Sequence, residues 1–175
     1  MVNLEIKIPV HDFQEFYEKI KNLISRSGEI LIQTDTYYLI GKRRLKLREE
    51  QHKSYFVFYI RPDVVQSKYS KYYIVPVPQK AIKYTKFICA KIFGVRICVD
   101  KKRTLFIYKN TRIHLDEVKN LGTYVELETV WGNDQSSESL KNEHYFVIES
   151  LGLDTSKSAK ESYSDLLSSH KFLCT

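Results

Sequence analysis

Cysteine is scarce in this 175-residue chain: Cys89, Cys98 and Cys174 are the only three. They are too few and too irregularly spaced for a disulfide framework or a zinc site. Cys89 and Cys98 sit among apolar residues and read as reduced core thiols. No apolar run approaches the roughly 18 residues of a membrane span. Charged Glu5 and Lys7 stand where the apolar core of a secretion signal would fall. A cytoplasmic protein with no membrane partner is therefore expected. Walker loops, GxGxxG, HExxH and GxSxG are all missing, which removes the common nucleotide folds and the hydrolytic triads. Repeats, low-complexity tracts and long linkers are missing too, so one domain over residues 1–175 is expected.

What is present is a folded globule's composition, 43% hydrophobic and 13% aromatic. A formal net charge of +7 implies an anionic partner. Hydrophobic periodicity predicts a strand over 2–8 and a helix over 12–26, with Phe13, Phe16, Tyr17, Ile20, Leu23 and Ile24 on one stripe and Gly28 as its terminator. Strands over 30–40 and 43–49 flank Gly41, and another covers 54–61. Residues 63–71 read as a polar loop, 71–76 as a short strand and 79–92 as a helix. Strands over 95–101, 103–109, 111–118 and 123–131 follow. A helix over 135–151 and a last one, capped by Ser158-Ala159-Lys160-Glu161, complete the chain.

One pattern recurs through six strands. Asn3, Glu5 and Lys7 alternate with Leu4, Ile6 and Ile8, so charges take one face and apolar residues the other. The same phase holds for Lys46 and Arg48, for Arg61, for Lys101 and Arg103, for Arg112, His114 and Asp116, and for Glu126 and Glu128. About eight strands with short turns, and four helices to cover the greasy face, predict an α+β fold with an antiparallel sheet. Closing that sheet turns the charged face inward as a polar lumen.

Lys7, Lys46, Arg48, Arg61, Lys101, Arg103 and Arg112 would then face Glu5, Asp116, Glu126 and Glu128. Arg forks and Lys ammonium groups suit phosphate oxygens. Mg²⁺ or Mn²⁺ needs a few carboxylates, and Glu126 and Glu128, two apart on one strand, can approach one ion from the same side. A solvated outer face bearing salt bridges is the competing reading of any single strand; agreement among six favours the lumen. His114 reads either as a base or metal ligand or as a plain hydrogen-bonding group. Arg43-Arg44 read as solvated turn charges. Tyr37-Tyr38 and Tyr69 to Tyr73 read as packing residues rather than base-stacking ones.

These residues together resemble the CYTH superfamily, the triphosphate tunnel proteins that include class IV adenylyl cyclases and thiamine triphosphatases. The resemblance rests on Asn3-Leu4-Glu5-Ile6-Lys7, which is similar to the family's ExExK motif, and on Arg44 to Glu49, Tyr59 to Pro62 and Lys101-Lys102-Arg103. It rests further on Arg112 to Val118 and Leu121 to Glu128. Asp35 to Tyr38 and Ser162 to Leu167 look closest to the cyclase-type branch.

The resemblance implies an eight-stranded antiparallel closed barrel with helices packed outside. It also implies a triphosphate held by Lys7, Lys46, Arg48, Arg61, Lys101, Arg103 and Arg112. Glu5, Asp116, Glu126 and Glu128 would bind one or two Mg²⁺ or Mn²⁺ ions, and Glu5, Lys7, Glu126 and Glu128 would carry the chemistry. The expected activity is metal-dependent hydrolysis of ATP, thiamine triphosphate or tripolyphosphate. The alternatives are cyclisation of ATP to cyclic AMP and pyrophosphate, and a non-catalytic triphosphate or polyphosphate binder. Asn3 stands where the family's first motif Glu is expected and supplies a neutral carbonyl instead. Nucleic acid ranks last as a partner, and a homodimer through edge strands is an open alternative.

Overall fold

The computed structural model describes residues 2–41, 43–60, 67–131 and 136–169. The elements run β1 Val2–Val10, α1 Phe13–Ile24, β2 Glu29–Ile40, β3 Arg43–Glu49, β4 Ser54–Ile60 and β5 Lys68–Val77. They continue α2 Ile82–Phe93, β6 Val95–Tyr108, β7 Thr111–Val118, β8 Gly122–Val130, α3 Ser137–Ser150 and α4 Tyr163–Ser169. The eight strands form a closed antiparallel barrel in the order β1-β5-β4-β3-β2-β6-β7-β8, with β8 pairing back onto β1. Among the described residues no helix is long and apolar enough to cross a membrane.

Side-chain alternation divides each strand between the lumen and the outer wall. The outer wall of β1, β6, β7 and β8 carries Ile6, Ile8, Phe106, Ile113, Leu115, Val125 and Leu127, all buried. Over it lie α1, through Ile20 and the stripe from Phe13 to Ile24, and α3, through Val147 and Ile148. Asp12 caps α1 by accepting from the Gln14 and Glu15 N–H groups, and Ser25 ends the helix in the left-handed conformation. Gly28 does not terminate that helix. A Cβ there would stand 2.5 Å from Thr104 Cγ2, so the glycine lets the chain pass close over β6.

Lumen-facing residues at one end of the barrel are apolar. Tyr37, Ile97, Val99, Val118 and Tyr124 form a second cluster with Tyr163 and Leu167 of α4, which plugs that end. The plug is clamped by charge: Asp165 meets Arg44 at 3.0 Å and Arg96 at 2.9 Å. Arg44 is therefore a half-buried anchor rather than a solvated turn residue. Ser162 and Asp165 cap the start of α4 reciprocally, so the capping pair lies four residues beyond Ser158.

Three further expectations change. Residues 95–108 are one 14-residue strand. Nothing in Lys101-Lys102-Arg103 breaks the chain, and β6 pairs with β2 and then β7 along its length. Lys68 to Ser70 belong to β5 and pair with β1, in place of part of the expected loop. Cys89 is a free thiol, whereas Cys98 is disulfide-bonded rather than reduced, its partner lying outside the described residues.

Candidate active site

The open part of the barrel is a cavity of about 250 Å³ with a basic wall and a mixed wall. Lys46 and Arg48 of β3 and Lys101 of β6 form the basic wall around one carboxylate, Asp35 of β2. Arg48 binds both Asp35 oxygens, Nε to Oδ1 at 2.6 Å and a terminal nitrogen to Oδ2 at 2.7 Å. Lys46 reaches Oδ2 at 2.8 Å and Lys101 reaches it at 3.5 Å. The register makes this cluster, since Asp35 lies opposite Arg48 and Tyr37 opposite Lys46.

One carboxylate cannot balance three cations. Burial alone would raise the Asp35 carboxyl, but Arg48, Lys46 and Lys101 hold it well below its usual range. Burial also pulls Lys46 down to about 8 from an ordinary 10.5, helped by Arg48 and opposed by Asp35. Lys101 falls well below its ordinary value for the same reason, with Arg103 the next cause. The wall thus holds more positive charge than it can neutralise, which is the condition for binding a polyanion.

Arg103 stands between the two walls. It donates to both oxygens of Asp116, at 2.7 and 2.6 Å, and to Glu126 at 2.6 Å. Tyr163 of the plug donates its hydroxyl to Asp116 at 2.9 Å, and its ring lies 3.9 Å from the Lys7 ammonium. Burial opposes ionisation of Asp116, but the Arg103 guanidinium brings it down to about 2. Asp116 is fully buried behind the lumen and is not among the residues lining the cavity.

On the mixed wall, Lys7 pairs with Glu126 at 3.2 Å and Arg112 approaches Glu128 at 3.7 Å. Ligand atoms of His114, Glu126 and Glu128 all lie within 4.8 Å of one another. His114 Nδ1 is buried without a hydrogen-bond partner, 3.7 Å from Glu126 and 3.9 Å from Glu128. Burial, then the Arg103 charge, lowers the imidazole pKa, so the ring is neutral and free to act as a ligand. Asn3 Oδ1, on the same cavity, is also buried without a hydrogen-bond partner. Two carboxylates and an imidazole, in a cavity that the Asn3 carbonyl also lines, are a donor set that fits a hard divalent ion such as Mn²⁺ or Mg²⁺.

Of the residues expected from the sequence, Glu5, Lys7, Lys46, Arg48, Lys101, Arg103, Arg112, Glu126 and Glu128 all line the one cavity. Glu5 sits across the β1–β8 ladder from Glu128. Arg61 lies outside the described residues. Asp35, Tyr163 and the mouth group of Gln33, Glu50 and Tyr55 were not expected; Gln33 and Tyr55 both donate to Glu50 Oε1, at 2.6 and 2.7 Å. Of the Tyr37-Tyr38 and Tyr69 to Tyr73 stretches, Tyr37 and Tyr72 line the cavity, while Tyr38 is buried on the outer side of β2.

This architecture and charge arrangement agree with a family match: the model of the CYTH domain covers residues 1–163. The chain belongs to the CYTH family. Among solved structures, the CYTH chain is similar to the PH1012 protein of Pyrococcus horikoshii, at 24% identity and a TM-score of 0.76 over 94% of this chain and 98% of that one. It is also similar to a candidate adenylate cyclase of Vibrio parahaemolyticus, at 18% identity and a TM-score of 0.72, covering 96% and 98% of the two chains. A third is a candidate adenylyl cyclase of Hippeastrum with a dominant triphosphatase activity, at 10% identity and 0.67, covering 98% and 97%. At these identities the likeness shows a shared fold. No curated protein matches the chain.

Proposed function

We propose that this CYTH protein is a metal-dependent hydrolase of an organic or inorganic triphosphate. The observation that carries the reading is the pairing of opposites in one cavity. An undercompensated cation cluster around Asp35 faces the His114, Glu126 and Glu128 donor group across a lumen closed at one end.

Lys46, Arg48 and Lys101 hold the phosphate chain, with Arg112 and Lys7 completing the ring of cations. Asp35 acts through Lys46, Arg48 and Lys101, and Asp116 through Arg103, fixing those side chains before the substrate arrives; such prearranged charge costs no reorganisation during reaction. Glu126 and Glu128, with His114 and Glu5 beside them, hold the Mg²⁺ or Mn²⁺ ion. When bound, that ion neutralises developing charge on the phosphate oxygens and helps orient water. Asp116, occupied by Arg103 and Tyr163, serves as a positioning carboxylate rather than as a ligand.

Phosphate and cyclic AMP release from tripolyphosphate, ATP and thiamine triphosphate, with Mn²⁺ or Mg²⁺ and with EDTA, tests the reading. Metal-dependent phosphate release supports it. Cyclic AMP with pyrophosphate supports the cyclase alternative. No product, with triphosphate still raising the melting temperature, would replace the hydrolase with a binding protein.

Asn3→Glu should raise metal-dependent turnover, because it adds a carboxylate to the cavity where the carbonyl is unpartnered. An unchanged rate at saturating metal would remove Asn3 as a limit on activity.

Binding should also take up protons. In the folded protein Lys46 titrates near 8, below its unfolded value of 10.5, so the unfolded chain binds more protons between these limits. Lys46 therefore subtracts from stability below pH 8, and that loss fades as pH rises to 10.5. A bound triphosphate reverses the shift. Above pH 8 its affinity should fall by about tenfold per pH unit for each proton taken up. Calorimetry in buffers of different ionisation heat measures the uptake directly; none at alkaline pH would contradict the Lys46 assignment.

A further inference from the structure

All of the chain's excess positive charge lies in one segment. Between Asp63 and Asp100 there are seven Lys and Arg residues and no Asp or Glu. The chain has 28 Lys and Arg in all, and the 21 outside this segment are matched by its 21 carboxylates. The segment forms β5, α2 and the start of β6. β5 and β6 stand on opposite sides of the barrel, so the part of this charge that gathers at α2 is Lys80, Lys83, Lys86 and Lys91.

Within it, α2 is built the wrong way round for a helix that covers a core. None of its residues is buried. Its exposed stripe carries Tyr84, Phe87, Ile88 and Ile92, which are 74, 64, 52 and 67% exposed. The other stripe is partly buried and carries Ile82, Thr85, Lys86, Cys89 and Ala90, with Lys86 paired to Glu49 at 2.7 Å. Apart from Ile82, the large apolar side chains thus face outward and small or polar ones face the barrel, the reverse of the usual order. Leu39, beside Gly94 at the helix end, and Val95 extend the apolar surface. Lys80, Lys83 and Lys91 are exposed around it, and Lys80 and Lys83 make no ion pair among the described residues.

We propose that the α2 face docks on an anionic lipid bilayer, with the Phe87, Ile88 and Ile92 side chains entering the headgroup boundary and the lysines meeting lipid phosphates. An interfacial helix needs this combination of an outward apolar stripe and flanking cations. Two copies of the face would set like charge against like charge, so the chemistry does not suit self-association. Nucleic acid would use the lysines but leave Ile88, Ile92, Val95 and Leu39 without a partner. The sequence-based expectation of no membrane partner was drawn from the lack of a spanning segment, and an interfacial helix requires none.

Flotation of the full chain with vesicles tests the proposal. One set is phosphatidylcholine alone; the other includes phosphatidylglycerol. The protein should float with the anionic vesicles only, and high salt should weaken the association. Both Phe87→Ser with Ile88→Ser and Lys83→Glu with Lys91→Glu should reduce binding by about tenfold or more. Melting temperature should be unchanged in both, since every altered residue is exposed. No flotation, or equal flotation with both vesicle types, would overturn the proposal. Undiminished binding by the Phe87 and Ile88 variant would do the same, as would duplex DNA binding that outcompetes the vesicles. A concentration-dependent dimer lost in that same variant would assign the face to a second copy instead.

Discussion

Asp35→Ala should be the most destabilising single substitution in the lumen, at about 3–5 kcal/mol, the usual cost of stranding a buried charge without its partner. Here one carboxylate holds Arg48, Lys46 and Lys101, so its loss leaves the Arg48 guanidinium and two lysine amines buried without it. At about 2–4 °C per kcal/mol for a chain of this size, the melting temperature should fall by about 6–20 °C. Tripolyphosphate should restore much of that loss, because it supplies the missing negative charge from the lumen side. Thermal melts of the variant with and without tripolyphosphate check both parts. A small fall, or a large one that the anion does not reverse, would mean that Asp35 is not the hub of a phosphate-binding cluster.

Glu126→Gln should have the largest effect on turnover with the least on the fold. The amide keeps the shape and removes the charge that His114, Lys7 and Arg103 surround. Metal-dependent phosphate release should drop by about 10²–10³-fold, the scale of losing one prearranged electrostatic group. Because Arg103 keeps both bonds to Asp116, affinity for the free triphosphate should change far less. Steady-state rates over a Mn²⁺ titration, with calorimetry of tripolyphosphate binding, separate the two quantities. Full activity in the variant would remove Glu126 from the metal-binding group.

Much of this site is legible by counting in twos. The phase set by Asn3, Glu5 and Lys7 carries into β3, β6, β7 and β8 because apolar residues mark the opposite face in nearly every strand. Asp35 escapes because its neighbours, Thr34 and Thr36, are polar too, and an alternation of polar with polar leaves no trace. Thr34 is spent on a bond to Asp100, and Thr36 lies near Cys98. Tyr163 escapes for a different reason: it reaches Asp116 from a helix 47 positions away, and no local pattern encodes that contact. Likewise, periodicity finds the α2 helix but not which side of it faces the barrel. Only the exposure of Tyr84 and Ile92 reveals the inversion.

Arg44 shows how a basic pair near a turn can mislead. Composition suggests solvent, but the charge is used to hold Asp165 and, through it, the plug that closes the lumen. The closed end matters to the chemistry. It puts Tyr163 over Lys7 and against Asp116, so the floor of the cavity is fixed by the same helix that excludes water from that end.

The central claim is that one lumen holds a triphosphate on its basic wall and a divalent ion on its mixed wall. Crystals grown with Mn²⁺ and tripolyphosphate test this most directly, through the anomalous signal of manganese. The account predicts a manganese peak within bonding distance of Glu126, Glu128 and His114, with the phosphate chain spanning from it to Lys46 and Arg48. A peak elsewhere, or a phosphate chain bound outside the barrel, would contradict it.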